Sequence, residues 1–274
     1  MNASDWFRKS LLALFLSLTI GNGFAQAQPA EDYEPKVGQQ GKDVIWVPTP
    51  QALVEKMLDV ARVTPKDYII DLGSGDGRTV ISAAKRGARA LGIEYNPDMV
   101  ELSTRNAAKE GVSDRAAFVK ADLFESDLSQ ATVITMFLLP DINMKLRPRI
   151  LDLKPGTRIV SNSFTMGAWS ADQIVTADDD CVSYCAAFFW IVPAKVEGTW
   201  QLPQEELTLI QTFQMISGTL KSASNAIQFI NGRLEGSRIT FTAGDREYVG
   251  RVNGNVMEGN VSSGGNWKAT RDNQ

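Results

Sequence analysis

The run DYIIDLGSGDGRTV, Asp67 to Val80, is an apolar strand that stops at a set of glycines and restarts as a helix. Gly73, Gly75 and Gly77 let the backbone turn sharply and leave no Cβ between the loop and a ligand. In open parallel sheets the carboxyl end of such a strand is where ligands bind. The spacing G-x-G-x-G is tighter than the dinucleotide fingerprint G-x-G-x-x-G, and Asp71 stands just before it. By itself the loop is also a plain strand-to-helix turn, so its neighbours decide its meaning.

Those neighbours alternate strand and helix. RTVISAAKRG is a helix ended by Gly87, and ARALGIE is a second strand. NPDMVELSTRNAAKEG follows as a helix with Asn96 as cap, Pro97 in the first turn and Gly111 as stop. AAFVKAD, ATVITMFL and the end of KPGTRIVSNSF are three more strands. DINMKLRPRILDLK is helical, with Pro148 as a kink or boundary. Upstream, WVPTPQALVEKMLDVARV offers Thr49 as cap, Pro50 in the first turn and a stripe of Leu53, Met57, Leu58 and Ala61. This alternation predicts an α/β fold, a parallel sheet with helices on both faces. From Lys195 helical periodicity disappears. Short alternating runs separated by Gly, Asn and Asp predict a small antiparallel β domain, a meander or barrel. NGRLEG and NGNVMEG look there like an echo of one hairpin.

Three consecutive strands of the first part end in an acid: Asp71, Glu94 and Asp122. Each alone reads as a helix cap or a surface charge. As an ordered set they suit a nucleoside, with Glu94 placed to accept ribose hydroxyls and Asp122 to accept from an adenine amino group. Histidine is absent and net charge is −4 without basic blocks. The first fact removes the Ser-His-Asp triad and the commonest zinc ligand, and the second gives no electrostatic footprint for nucleic acid. No metal site is expected.

DLGSGDGRT, GIEYNP and ADLF together resemble the first, acidic second-strand and adenine-side motifs of the class I S-adenosylmethionine-dependent methyltransferases, over about Trp46 to Pro193. VPTP and DLGSGDGR are similar to a group that includes the mitochondrial lysine methyltransferases of the ATP-synthase c-subunit type. The resemblance implies a Rossmann-like sheet and S-adenosylmethionine as cofactor. It implies that Gly73 and Gly75 approach the amino-acid end, with Ser74 and Gly77 also in the cofactor-binding loop, Asp71 orienting that loop and meeting the methionine amino group, and Thr49 near the methionine carboxylate. Glu94 would hold the ribose, and Asp122 and Leu123 the adenine.

Methyl transfer from a sulfonium is an in-line displacement that needs alignment and exclusion of water, so a dedicated base is optional. The acceptor is expected beside MFLLPDIN, where Leu138, Leu139 and Pro140 would wall an apolar slot. The Asn/Asp-Pro-Pro-aromatic pattern of many amine methylators is missing there. A protein lysine fits the slot, since desolvation favours its neutral amine; a small-molecule acceptor stays open. Asp141 reads as the cap of the following helix, with a base or positioning role as the alternative. NSFTMGAWSADQ, with Asn162, Phe164 and Trp169, reads either as a pocket wall or as a loop anchored by its tryptophan. Tyr33 and Tyr95 are exposed-tip candidates.

The chain opens with Arg8 and Lys9, an apolar run Leu11 to Ile20, and AQA at Ala25 to Ala27. That is the pattern of a cleaved export signal, with a membrane anchor or an organelle address as alternatives. The expected organisation is a signal peptide 1–27, a flexible arm 28–45, a cofactor-binding domain 46–194 and a β-rich domain 195–274. No transmembrane span is expected in the mature chain. Cys181 and Cys185 either close a small disulfide loop, as an exported chain permits, or remain two partly buried thiols. Asp178 to Asp180 read as a solvated turn or a cation site. The rival to an enzyme is an exported protein that binds an S-adenosyl or nucleoside ligand without transferring a methyl group.

Overall fold

The computed structural model describes residues 33–177 and 181–271. The leader, its cleavage point and Asp178 to Asp180 lie outside those residues. β1 (Tyr68–Leu72), β2 (Arg89–Glu94), β3 (Ala116–Lys120), β4 (Val133–Met136) and β5 (Arg158–Asn162) run parallel. Ile69, Ala90, Val133 and Val160 face one layer, and Ile70, Ile93, Ile134 and Ile159 face the other. That is the period-two signature of strands buried on both sides. α1 (Gln51–Val60), α2 (Arg78–Lys85) and α3 (Pro97–Lys109) cover the first layer with Leu53, Val80 and Ala107. α4 (Pro140–Leu151) covers the second with Ile142, Leu146 and Ile150.

The sheet is not wholly parallel. It has seven strands in the order β3-β2-β1-β4-β5-β7-β6, with β6 (Gln173–Thr176) and β7 (Ala186–Ile191) at one edge. β7 pairs antiparallel with both β5 and β6. An antiparallel return needs no crossover helix, so the strand–helix alternation ends at β5.

Most helix signals act as expected. Asn96 accepts from the Asp98 amide at 2.9 Å, and Gly87 and Gly111 end α2 and α3 with φ of +87° and +69°. Three do not. Pro50, not Thr49, is the N-cap of α1, and the Thr49 hydroxyl instead accepts from Asn162 Nδ2 at 3.2 Å. Leu139 is the N-cap of α4 and Pro140 its first residue, so Asp141 lies in the first turn and caps nothing. Pro148 neither ends nor bounds α4, which runs on to Leu151. The proline removes one hydrogen bond near the helix end, where buried Leu146 and Ile150 hold the segment down.

The stretch expected as a flexible arm through residue 45 is folded from Tyr33 onward. Gln40 bridges Ile45, the Gly38 amide donates to the Trp46 carbonyl at 2.8 Å, and the Trp46 amide donates to Gln39 at 2.9 Å. These bonds make a small hairpin that leads into α1.

The last third is a closed eight-stranded barrel. Its strands are β8 (Gly198–Gln201), β9 (Glu205–Thr212), β10 (Met215–Ser222) and β11 (Ala226–Glu235), then β12 (Arg238–Ala243), β13 (Arg246–Asn253), β14 (Val256–Val261) and β15 (Asn266–Thr270). Closure rests on Thr270 opposite Gln201. Trp200, Leu207, Phe229, Phe241, Tyr248 and Trp267 fill the interior, with Phe241 stacked on Phe229 and Tyr248 at 4.7 and 4.6 Å. The barrel is therefore a packed core rather than a cargo vessel. The two Asn-Gly pairs differ. Asn253-Gly254 turns between β13 and β14, with Gly254 at φ +58°. Asn231, at φ +63°, lies inside β11 where the register against β10 slips between Ile216 and Gly218, so it marks a bulge.

Candidate functional site

The carboxyl ends of β1, β2, β3 and β4 open into one cleft, roofed by the hairpin before α1. Gly73, Gly75 and Gly77 adopt φ of +74°, +54° and +84°, a region that residues with a Cβ enter only under strain. The loop is tied to the tip of β2. The Gly73 amide donates to the Ile93 carbonyl at 2.9 Å, and the Gly75 amide to Glu94 Oε2 at 3.0 Å. A Cβ on Gly75 would sit 2.6 Å from Trp46 Nε1, so the hairpin indole packs directly on the loop. Gly77 is not part of the cleft wall. A Cβ there would meet Phe118 and Ser103 at 2.7 and 2.8 Å, so this glycine serves the close approach of the loop to α3 and β3. Ser74 lines the cleft, buried, with Oγ unpartnered.

The three acids arrive in the expected order along the sheet edge. Glu94 Oε1 accepts from the amides of Tyr95 and Asn96 at 2.8 and 2.9 Å, so its carboxylate splints the β2 tip to the glycine loop. Asp71 is buried, with Oδ1 accepting from Thr135 Oγ1 at 2.6 Å across the β1–β4 pairing. Burial pushes its carboxyl up to about 7; the Thr135 hydrogen bond opposes this, and the charges of Glu94 and Asp76 add to it. Asp122 Oδ1 accepts from the Phe124 amide at 2.8 Å. Its Oδ2 takes Lys42 Nζ at 2.5 Å, and Lys42 also lies 4.9 Å from the centre of the Tyr95 ring. The Lys42 hydrogen bond, helped by the Phe124 amide, holds the Asp122 carboxyl below its ordinary range. Leu123 lines the cleft beside it.

Toward β4 the wall turns apolar. Leu138 is buried, with a methyl 3.3 Å from where a Gly73 Cβ would stand. Leu139 also lines the cleft, half exposed, whereas Pro140 does not; its ring is committed to the start of α4. Asp141 is exposed and outside the wall.

A family model described as the ANTKMT methyltransferase domain matches residues 71–173. A protein-lysine N-methyltransferase of Saccharolobus islandicus is 40% identical over 151 residues, which are 54% of this chain and 94% of that protein. The chain belongs to the class I S-adenosylmethionine-dependent methyltransferases. A human lysine N-methyltransferase of the ATP-synthase c-subunit is 32% identical over 146 residues, which are 53% of this chain and 62% of that protein. Among solved structures, an RNA methyltransferase from Salinibacter ruber, in complex with S-adenosyl-L-homocysteine, is 45% identical. It superposes with a TM-score of 0.51 over 55% of this chain and 96% of that one.

S-adenosylmethionine is the cofactor, and the cleft of this methyltransferase fits it. A buried carboxyl with a single side-chain donor suits a cationic amino-acid end, and the loop glycines leave room for close approach. Thr49 also lines the cleft. Several features of the site were not predicted from sequence: Lys42 and Trp46 on the hairpin, Thr135 beneath Asp71, and Arg78. The Arg78 guanidinium pairs with Asp76 at 2.6 Å and donates to the Thr49 carbonyl at 2.9 Å, holding the entry to α1. The two readings of the loop after β5 divide between its residues. Phe164 lines the cleft, while Trp169 is fully buried and stacks on Phe213 of the barrel at 6.0 Å. Asn143 of α4, fully buried, holds that loop by donating to the Phe164 and Thr165 carbonyls at 3.3 Å. Cys181 and Cys185 are joined as a disulfide, and the loop they close carries Tyr184 to the cleft. Only its position between two cysteines could have flagged that tyrosine.

Proposed function

We propose that this methyltransferase acts on the side-chain amine of a lysine in a protein. The observation that carries the reading is the order of groups along one sheet edge. Asp122 and Glu94, at the tips of β3 and β2, are followed by the buried carboxyl of Asp71 and then by an apolar slot at β4. In this reading Asp122 and Leu123 take the adenine once Lys42 swings clear, and Glu94 takes the ribose. Asp71 meets the ammonium of the methionine end, and Thr49 and Ser74 lie beside its carboxylate. When bound, the cofactor supplies a sulfonium methyl whose transfer leaves the bond electrons on sulfur and the positive charge on the acceptor nitrogen, which then loses a proton to water. The Phe137–Leu139 wall keeps water out and favours the neutral amine. That wall offers no charged base, and an amine delivered neutral needs none.

The lysine methyltransferases among the relatives support this acceptor, and the RNA methyltransferase raises nucleic acid as a rival. Charge favours protein. The chain carries −4 overall, and the cations lining the cleft, Lys42 and Arg78, are spent on Asp122 and Asp76. Incubation with isotope-labelled cofactor and an envelope extract tests the reading. Label recovered as methyllysine after protein hydrolysis is expected. Label in RNA, or no transfer by protein that binds the cofactor, overturns it. We infer also that the chain is exported and cut after Ala27, a location supported by the Arg8–Ile20 leader and by the disulfide. Mass spectrometry of the native protein should find Gln28 first; an intact Met1 in the cytosol refutes export.

A further inference from the structure

Beyond Asp71 the cleft ends in three aromatic rings. Phe137 follows β4, Phe164 follows β5, and Tyr184 sits inside the loop closed by Cys181 and Cys185. The Phe137 ring centre lies 6.0 Å from that of Phe164, near parallel at 23°, and 5.0 Å from that of Tyr184, edge-on at 62°. Phe164 and Tyr184 are 6.5 Å apart, which completes the triangle. The strands place it. Asp122, Glu94 and Asp71 stand at the tips of β3, β2 and β1, and the next strands in the sheet are β4 and β5. The rings therefore line the part of the cleft beside β4 and β5, next to the apolar slot.

We propose that Phe137, Phe164 and Tyr184, packed against one another, present one aromatic surface, here called the box, over which the alkylammonium end of the acceptor lies, and that the Cys181–Cys185 disulfide positions Tyr184 in it. The proposal rests on the lysine reading above and assigns Tyr184 as a residue that determines specificity. Its chemistry follows the charge. Before transfer, apolar walls favour the neutral amine. After transfer the nitrogen is cationic, and ring faces attract a cation, most strongly where water is excluded. Rings thus hold the acceptor stem on arrival and match the charge that develops on it.

The backbone shows that this arrangement is imposed. Tyr184 has φ +56° and Ser163, just before Phe164, has φ +58°, a left-handed conformation that costs energy in residues with a Cβ. Core packing does not explain Tyr184, which is 42% exposed. Two fixed ties do explain the pair. The disulfide closes the five-residue loop Cys181–Cys185 around Tyr184, and the Ser163 amide donates to the Ala186 carbonyl, next to Cys185, at 2.8 Å. Asn143 fixes the Phe164 side from below. The third ring lies beyond residues 71–173, the segment that the family model matches.

Calorimetry on the full chain saturated with S-adenosylhomocysteine tests the box. The probes are acetylated, amidated trimethyllysine and its neutral tert-butyl isostere. The cation should bind about fivefold or more tightly than the isostere. Tyr184→Ala and the C181S/C185S pair should lose that preference, Tyr184→Phe should keep it, and all should bind S-adenosylhomocysteine within about twofold of wild type. That last measurement reports an intact fold. In turnover of a lysine peptide, Tyr184→Ala should raise KM more than it lowers kcat. No cation binding, equal binding of both probes, or a Tyr184→Ala variant that discriminates like wild type overturns the box. A wild type that binds the cation selectively yet methylates no lysine overturns the lysine acceptor and supports the box as an ammonium site.

Discussion

Lys42 and Asp122, eighty residues apart in the chain, meet at 2.5 Å and close the cleft at the tip of β3. The carboxylate expected to read the adenine amino group is held by an ammonium from the hairpin. The same ammonium rests over Tyr95, so hairpin, β2 tip and β3 tip form one latch. Ligand entry must open it.

Lys42→Ala should therefore speed cofactor association. The pair is partly solvated, so the gain should be a few-fold and should shrink as salt screens the wild-type contact. Stopped-flow fluorescence of Trp46, which packs on Gly75, reads the step. An association rate that is unchanged at low salt refutes the latch.

The contact proposed between Asp71 and the ammonium of the cofactor makes binding depend on pH. Its carboxyl in the ligand-free fold lies at about 7, above the ordinary 3.8, so the fold holds its proton more tightly than the unfolded chain does. The stability this proton contributes is complete below pH 3.8 and is lost as pH rises through about 7. Asp71→Asn should thus raise the Tm of the ligand-free protein at pH 8 by several degrees and change it little near pH 4. Binding of the cationic cofactor end requires the ionised acid, so affinity should rise by up to about tenfold per pH unit below 7 and then level off. The Asn variant should bind weakly and lack that slope. Calorimetry across pH decides, and a parallel slope in the variant rules Asp71 out.

The carboxyl end of β1 was legible because its information is local. Glycine spacing, strand and helix periods, and the acids closing β1, β2 and β3 all lie within short windows, and so does the change to β-hairpins after Lys195. What escaped depends on distant partners. Lys42 is ordinary until β3 brings Asp122 to it, and Thr135 finds Asp71 only through the β1–β4 register. β6 is four residues long and largely exposed, so it shows no apolar alternation, and β7 carries no helix to announce it. Thr49 and Asp141 looked like caps because their residue types favour capping, but the prolines after Thr49 and before Asp141 set where the helices start.

The splint between the glycine loop and β2 should be indispensable. Gly75→Val forces a branched side chain into φ +54° and against Trp46. Glu94→Ala removes the acceptor of three amides, those of Gly75, Tyr95 and Asn96. Both should weaken S-adenosylhomocysteine binding by well over about tenfold, while Glu94→Gln, which keeps an acceptor oxygen, should fall between. Calorimetry showing wild-type affinity in either severe variant refutes the assignment.

Phe213 joins the barrel to the sheet. At the β9–β10 turn, with φ +55°, its ring stacks on Trp169 at 6.0 Å and lies under the Arg147 guanidinium at 5.3 Å. Beside it Gln214 donates to the Ser170 carbonyl at 2.8 Å, and Arg233 pairs with Asp172 at 2.5 Å. The barrel has its own filled interior, so cutting this joint should leave it folded. Phe213→Ala should cost about 1–3 kcal/mol at the joint and relieve a strained backbone position only in part. Scanning calorimetry should then resolve two transitions, the earlier belonging to the sheet, whose Trp169 has lost its cover. A single transition at the wild-type temperature means that the remaining polar contacts hold the two parts together without the ring.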